Sequence, residues 1–582
     1  MFRSRNRSSS HHVGRRLPVA ALIALALCLG VAVPGAAQEG DLTSFLDSVD
    51  VNLVNLEVFV TDQEGNRVPG LTRDDFEVRV DGQPVELTNF HVAHSPPSAT
   101  APAPPPAAGE AENQPAAETV PAPADDAAPP APRRPLFLVA YVDNVHILPG
   151  DRKRILDDLA VLLEERVANG DQVMLVGYDR TVKVVQPFTS DPQEVAAGLR
   201  KLTEAPTHRQ LADTRFRFLI DDIRREMAAQ VPNAGQSQVA IYRQERESDA
   251  LAAYKGLRQV ITGLAGLPGR RALLYVSDGI PRWPGAELAS VVFGSAPVGS
   301  RQNDLRRTYE EVARQANAHE VTLYTFDARG PNSDLFLGAD SASVGDFGFN
   351  TDFAHDRDAN LQEPLMQMAD ETGGRSILNT NDFAGTLDTL LRDFEDFYSL
   401  GFPSPSSGDG EYHNVQVRVK RPGVQVRHRE GYLDKSPAAQ VADRTESFLL
   451  QGWQSNPMGV QLQFAAPEKK RRRWQVPVLV RIPAGSVTLI PRGDEMVGRL
   501  QLFVAVRDGE GRVSELTRLE RDVSIPREAM EQQAAEGEVN DLGYSVNLEM
   551  RPGPQSLVVG VWDEVGGAES YVYQKVVVGG PS

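Results

Sequence analysis

Cysteine is almost absent: the 582-residue chain holds one, Cys28. That excludes an intramolecular disulfide framework and any cysteine-rich zinc or iron–sulfur site. A basic surplus is missing too. Sixty Lys and Arg face 79 Asp and Glu, a formal net charge of −19 with a pI near 5.1. A general nucleic-acid binder needs basic surface to neutralise phosphates, so no nucleic-acid partner is expected. Attraction to anionic lipid has no basis either. No P-loop, HExxH or GxSxG pattern occurs, which removes the commonest catalytic signatures. Beyond residue 33 no apolar run approaches the ~20 residues a spanning helix needs.

What is present begins with a leader. Arg3, Arg5, Arg7, Arg15 and Arg16 precede an apolar run from Leu17 to Val33, and Pro34-Gly35-Ala36-Ala37 offers small residues for cleavage. That order reads as a secretory signal peptide over 1–37, the alternative being a retained anchor. Leu27 before Cys28 does not fit a lipoprotein signal, so Cys28 leaves with the peptide. The expected location is exported, periplasmic or extracellular, with no membrane span after cleavage.

Residues 38–94 read as β segments. Val54, Leu56, Val58 and Val60 alternate, as do Phe76, Val78 and Val80, and Asp81-Gly82 signals a hairpin. Residues 95–135 are Pro/Ala-rich without aromatics and cannot bury enough surface to offset their chain entropy, so a linker is expected. Residues 136–400 alternate strand and helix. Leu136–Val142, Gln172–Tyr178, Arg271–Ser277 and Val321–Phe326 are buried-strand runs. Helical spacing lies between them, including 211–230, 238–265, Pro364–Thr372 and Phe383–Phe397. That pattern predicts a doubly wound, mostly parallel sheet with helices on both faces. Ligands bind such sheets at the strand carboxyl ends, where Asp143, Asp278 and Asp327 stand. Residues 401–434 return to strands (NVQVRVK, VQVRH), and 440–582 read as a second β-sandwich. Its basic run KKRRR, 469–473, reads as a solvated hairpin tip rather than a nucleic-acid patch.

Several stretches together resemble the von Willebrand factor A domain, and more narrowly the bacterial von Willebrand factor A-related proteins of acidobacterial type. They are VNLEVFVTDQEGNRVPGLTRDDFEVRVDGQPV, LFLVAYVDNVHILPGDR, GRRALLYVSDGIP, MADETGGRSILNTND, YSLGF and VRHREGYL, spread over about 40–433. The resemblance implies a von Willebrand factor A-like α/β domain flanked by β-sandwiches. It also implies a metal-ion-dependent adhesion site, in which a DxSxS strand end, a threonine and a second aspartate set hard oxygens around Mg2+. Here Asp143 matches the first aspartate and Asp278 the second. Val145 and Ile147 stand where the serines would be, and the threonine is Thr203 or Thr207. Asn144 and His146 are substitute donors, although imidazole favours softer metals. The two aspartates therefore form either a degenerate site for a divalent cation (Mg2+), the one cofactor in view, or caps for adjoining loops.

The leader, the modular β domains and the lack of a catalytic signature point to a non-enzymatic, exported protein-binding or scaffold protein, its A-like domain presenting a partner-binding face at the strand ends. The alternatives are a metal-dependent hydrolase built on Asp143, His146 and Asp278, and a structural envelope protein without a ligand site. Two segments add candidate surfaces. Residues 207–265 form either a partner-binding helical arm or one crossover helix interrupted at Pro232–Gly235. Residues 331–360 form an acidic loop carrying Phe336, Phe347, Phe349 and Phe353, with Asp346, Asp352 and Asp356 lacking an EF-hand register. Neither 38–94 nor 401–434 is large enough to close a sandwich alone, so their strands are expected to pair with each other across the inserted domain. Expressed without 401–434, the fragment 38–94 should show no cooperative unfolding by circular dichroism. A cooperative transition there would count against the pairing.

Overall fold

In the computed structural model, the described residues are 53–93, 135–293, 304–330, 351–380, 382–406, 408–530 and 541–579. The leader, the linker to residue 134, and Phe336, Asp346, Phe347 and Phe349 lie outside them. The first strands are β1 (Leu53–Thr61), β2 (Phe76–Val80), β3 (Gln83–Val85) and β4 (Asn89–Ala93). In β1 the alternating Val54, Leu56, Val58 and Val60 are buried. The β2–β3 turn is tight because Asp81 and Gly82 both take positive φ, 48° and 81°, the conformation that matches strand twist in a two-residue hairpin.

The α/β part runs β5 (Leu136–Asp143), α1 (Pro149–Ala168), β6 (Gln172–Tyr178), β7 (Val182–Thr189), α2 (Pro192–Glu204), α3 (Arg209–Ala228), α4 (Gln236–Leu264), β8 (Arg270–Ser277), α5 (Ala286–Phe293), α6 (Arg306–Ala318), β9 (Val321–Asp327), α7 (Thr351–Glu371), β10 (Ser376–Ile377) and α8 (Phe383–Glu395). Its six-stranded sheet has the order β10-β9-β8-β5-β6-β7. All neighbours are parallel except β6–β7, so the sheet is mixed, with an antiparallel edge. The unbroken apolar run of β5 follows from burial on both faces. Leu136, Leu138, Ala140 and Val142 pack with α1, α2 and α8. Phe137, Val139 and Tyr141 pack with α4, α6 and α7.

Two expectations need correction. Pro364 does not open a helix: α7 starts at Thr351 and carries the proline in its interior. Proline has no N–H for the Asn360 carbonyl, but that carbonyl accepts from the Arg282 backbone N–H at 2.9 Å, so the lost helix bond is replaced from outside. Residues 351–360, with Asp352, Phe353 and Asp356, are consequently helix rather than loop. The 207–265 segment is two separate helices, as the runs at 211–230 and 238–265 read, rather than one interrupted crossover helix. They turn through Asn233 and Gly235 at positive φ and share a small core of Phe216, Ile220, Ile223 and Val239 with Leu288 of α5.

The chain then forms β11 (Phe397–Pro403), β12 (Tyr412–Val419), β13 (Gln425–His428) and β14 (Gly431–Leu433). These pair with the first strands in two four-stranded sheets, β13-β1-β11-β4 and β14-β12-β2-β3. Each sheet mixes strands from both sides of the α/β part, and their inward residues make one core that includes Leu56, Val58, Phe76, Val78, Tyr398 and Phe402.

Next comes a helix the strand reading of this region lacked, α9 (Pro437–Gln451). Ser436 caps it by accepting from the Ala439 N–H, and Gly452 ends it in the left-handed region. The remaining strands are β15 (Gln461–Phe464), β16 (Glu468–Lys470), β17 (Arg473–Pro483), β18 (Ile490–Arg492), β19 (Glu495–Asp508), β20 (Thr517–Pro526), β21 (Asp541–Met550), β22 (Gly553–Asp563) and β23 (Glu569–Val578). They form two antiparallel sheets around a common core, and the KKRRR run is the β16–β17 hairpin tip. Ala438, Val441 and Leu449 of α9 pack on Phe503, Val558 and Trp562.

Two arginines join the α/β sheet to the first sandwich. Arg270, opening β8, donates to Glu57 of β1 at 2.5 and 2.8 Å and to the Phe394 carbonyl at 2.6 Å. Its guanidinium lies 4.0 Å from the Phe397 ring centre. Arg427 of β13 grips both Asp393 oxygens at 2.9 and 2.8 Å and donates to the Gly373 and Gly374 carbonyls. Asp393 also receives Arg375 at 2.8 Å. Removing the shared acid leaves two part-buried guanidiniums without it. Asp393→Ala should therefore cost about 3 kcal/mol in urea unfolding. Lys153→Ala, at an exposed i,i+4 pair, should change stability by under about 0.5 kcal/mol. Equal effects would mean the Asp393 cluster is as solvated as a surface pair.

Candidate functional site

The strand order reverses between β5 and β8: the chain moves from β5 to β6 on one side and from β8 to β9 on the other. Such a reversal opens a crevice at the strand carboxyl ends. Asp143 is the last residue of β5, and Asp278 follows the last residue of β8.

The Asp143 carboxylate is fully buried, and donors surround it. Oδ1 accepts from the Val145 and His146 backbone N–H groups at 3.0 and 3.2 Å. Oδ2 accepts from the Tyr275 hydroxyl at 2.8 Å and lies 2.8 Å from His146 Nδ1. Burial alone would raise this carboxyl, but the His146 charge and these hydrogen bonds outweigh it and hold it below the usual range. Asp278 is tied to the same loop. Its N–H donates to the His146 carbonyl at 3.0 Å, and its Oδ2 accepts from the Leu148 N–H at 3.2 Å. Its Oδ1 is buried with no hydrogen-bond partner. Burial pushes this carboxyl up to about 8, with Asp151 adding to the rise and Arg209 opposing it.

A magnesium ion does not fit these groups. The Asp143 lone pairs are spent on four protein donors, and burial pushes Asp278 toward its neutral form. Val145 packs into the core on one face of the sheet and Ile147 into the core on the other, so the loop is anchored by apolar burial where the adhesion pattern has hydroxyls. Thr203 sits in α2, its hydroxyl donating to the Leu199 carbonyl at 3.0 Å, and Thr207 lies in the turn after α2. Asn144 Oδ1 accepts from Arg152 at 2.6 Å. Asp327 is held by both arms of Arg329, at 2.9 and 2.6 Å, and by Gln362 at 2.8 Å.

Beside Asp278 lies a pocket of about 70 Å³, whose polar lining is His146, Arg209, Asp213, Arg246, Glu287 and Arg357. Sequence reading passed over these arginines because they come from three separate helices, α3, α4 and α7, and share no local motif. Arg209 donates to Asp213 at 2.9 Å and Arg246 to Asp249 at 2.7 Å. Burial, Arg209 and Arg329 all pull the Arg357 guanidinium down, the mark of cations crowded together. The pocket can therefore take an anionic group, with Asp278 in its neutral form nearby.

A second constellation lies in the first sandwich. One ligand atom each from Asp409, His413 and Asp434 falls within 4.8 Å of the others. Its residues are close in sequence, yet a loop and two strands were not read as a donor set.

No family model matches the chain, and no curated protein matches it. Among solved structures, a pilus adhesin of Lactobacillus rhamnosus GG aligns at 7% identity, covering 78% of this chain and 53% of that one, with a TM-score of 0.26. A minor pilin of Streptococcus sanguinis aligns at 13% identity over 46% of this chain and 63% of that one, TM-score 0.24. An aerotolerance-related membrane protein of Bacteroides fragilis aligns at 12% identity over 44% of this chain and 98% of that one, TM-score 0.21. Likenesses this slight carry no argument about fold or function.

An acid whose pKa is higher folded than unfolded stays protonated in the folded state where the unfolded chain has ionised. Its stabilising effect is complete below the unfolded value and is lost as pH rises toward the folded one. For Asp278 that window runs from about 4, the ordinary aspartate value, to about 8. Asp278→Asn keeps an oxygen for the Leu148 N–H and cannot ionise. Relative to the wild type it should gain about 1 kcal/mol per pH unit between pH 5 and 8 in urea unfolding. Parallel curves for the two proteins would place the Asp278 pKa at its ordinary value.

Proposed function

We propose that the chain is an exported, non-enzymatic scaffold whose von Willebrand factor A-like domain binds a carboxylate of a protein partner at its strand ends, through guanidinium groups rather than a metal. The observation that carries this reading is the convergence of Arg209, Arg246 and Arg357 on one small pocket at the strand-order reversal, in a chain of net charge −19. Guanidinium groups bind carboxylates in fork geometry with charge-assisted hydrogen bonds, and a water-poor pocket strengthens them. Asp213 and Glu287 compensate part of the charge, and Asp278 in its neutral form adds none. An incoming carboxylate relieves the crowding of the three cations. Export is supported by the leader pattern and by the absence of cysteine after residue 28. Among the described residues no helix is long and apolar enough to cross a membrane.

One observation favours the hydrolytic alternative. His146 Nδ1 is 2.8 Å from Asp143, which orients the imidazole as in a general-base pair, and His146 lines the pocket. The metal-dependent form of that alternative loses its support, because both Asp143 oxygens are committed to protein donors.

The test uses capped peptides bearing a single Asp or Glu, with Asn and Gln peptides as controls, titrated calorimetrically in EDTA and in Mg2+. The acidic peptides should bind equally well in both buffers, and Arg246→Gln or Arg357→Gln should weaken them about tenfold, the loss of one charge-assisted contact. Equal binding of the amide peptides would overturn the reading. So would Mg2+-dependent binding abolished by Asp143→Asn. Turnover of ester or phosphoester panels lost in His146→Gln would favour the hydrolase.

A further inference from the structure

The corner of the first sandwich where β12, β14 and the β2–β3 turn meet gathers an imidazole and carboxylates at metal-ligand spacing. His413 pairs with Tyr432 across β12–β14 and is 9% exposed. Its Nδ1 is 2.7 Å from Asp81 Oδ2, while Asp81 Oδ1 accepts from the Asn414 N–H at 2.9 Å. Asp81 therefore fixes the ring's orientation, holding Nδ1 toward itself and turning Nε2 toward Asp409. That nitrogen faces Asp409 Oδ1 at 3.3 Å and Ser406 Oγ at 3.1 Å. Asp434 stands alongside, fully buried. Its Oδ2 is steered by the Ser404 hydroxyl at 2.6 Å and the Gly408 N–H at 2.9 Å. Asp81 and Asp409 both pair with the imidazole, and Asp434 lies within the same 4.8 Å group as Asp409 and His413.

We propose that Asp409, His413 Nε2 and Asp434 bind a divalent cation of the Zn2+ or Mn2+ class, with Asp81 as the carboxylate that orients the imidazole. One nitrogen and two carboxylate oxygens suit those ions, whereas Mg2+ and Ca2+ prefer all-oxygen shells. A ligating histidine whose other nitrogen donates to a carboxylate is the usual arrangement of such centres. The ligand atoms lie within 4.8 Å of one another, and Asp409, the exposed member, is free to close on the ion. The cation ties the loop before β12 to the end of β14. Through Asp81 it also ties both to the β2–β3 turn, which lies on the other side of the inserted α/β part in sequence. Metal binding there is stabilisation of the sandwich as a whole.

The experiment takes the chain without its leader, stripped with chelator at pH 7.5, and measures melting temperature and metal content after dialysis against Zn2+, Mn2+, Ca2+ or Mg2+. About one equivalent of Zn2+ or Mn2+ should remain bound and raise the melting temperature by several degrees, because an ion that binds only the folded state stabilises it by mass action. Ca2+ and Mg2+ should do neither. Asp409→Asn, at an exposed position that does not threaten folding, should abolish retention and the shift, as should His413→Gln. Asp143→Asn should retain both. No retained metal and no shift would overturn the proposal. A shift that survives Asp409→Asn would overturn it as adventitious binding elsewhere.

Discussion

The arrangement of the chain rests on the two arginine clamps between the α/β sheet and the first sandwich. An inserted domain must leave and re-enter its host at neighbouring points. Here those points are adjacent strands, with Ala93 of β4 paired to Phe397 of β11. One strand pair is a hinge by itself. Arg270 reaches from the inserted sheet to Glu57 in the host, and Arg427 reaches from the host to Asp393 in the inserted part. Each also lies over an aromatic ring of the host, Phe397 and Phe59. The contacts run in opposite directions across the joint, so neither unit can rotate without breaking one of them. That fixes where the strand carboxyl ends point relative to the sandwiches.

The limits of sequence reading fall where local pattern stops deciding structure. The β5 run was legible because burial on both faces leaves no polar position for seven residues. The Asp81-Gly82 hairpin was legible because few residue pairs tolerate two positive φ values. Pro364 misled because its cost was judged from the helix alone. The bond it forfeits is made by Arg282, about eighty positions earlier, and no window on the sequence contains both. The α9 helix had its signals, Ser436-Pro437 at one end and Gly452 at the other, but they stood between strand-rich stretches that dominated the reading.

The candidate sites divide in the same way. That Asp143 and Asp278 stand at strand ends was legible, and their proximity followed from the sheet order. Their electrostatic states were not. Asp143 collects four donors, one of them the Tyr275 hydroxyl from a neighbouring strand, while Asp278 keeps a bare oxygen and its proton. Both are aspartates at the ends of buried strands, and only the three-dimensional count of donors separates them. The pocket arginines were invisible for a related reason. Arginine on an amphipathic helix ordinarily marks the solvent face, and nothing local distinguishes Arg209 from Arg217.

The burial of Val145 and Ile147 has consequences that reach beyond these two side chains. Hydroxyls at those places would sit unpaired among apolar side chains. Valine and isoleucine instead commit the loop to the two cores, each burial worth about 1.5–3 kcal/mol. A loop held that way keeps its shape with no ligand present, and Asp143 becomes its internal organiser rather than a ligand. Asp278, fully buried and with Arg209 and Arg329 engaged by Asp213 and Asp327, is pushed by burial toward its neutral form. The neutral acid in turn leaves the pocket's guanidinium groups less compensated than an ionised one would. The apolar anchoring of the loop, the raised acid and the cationic pocket are therefore one connected arrangement at the strand ends.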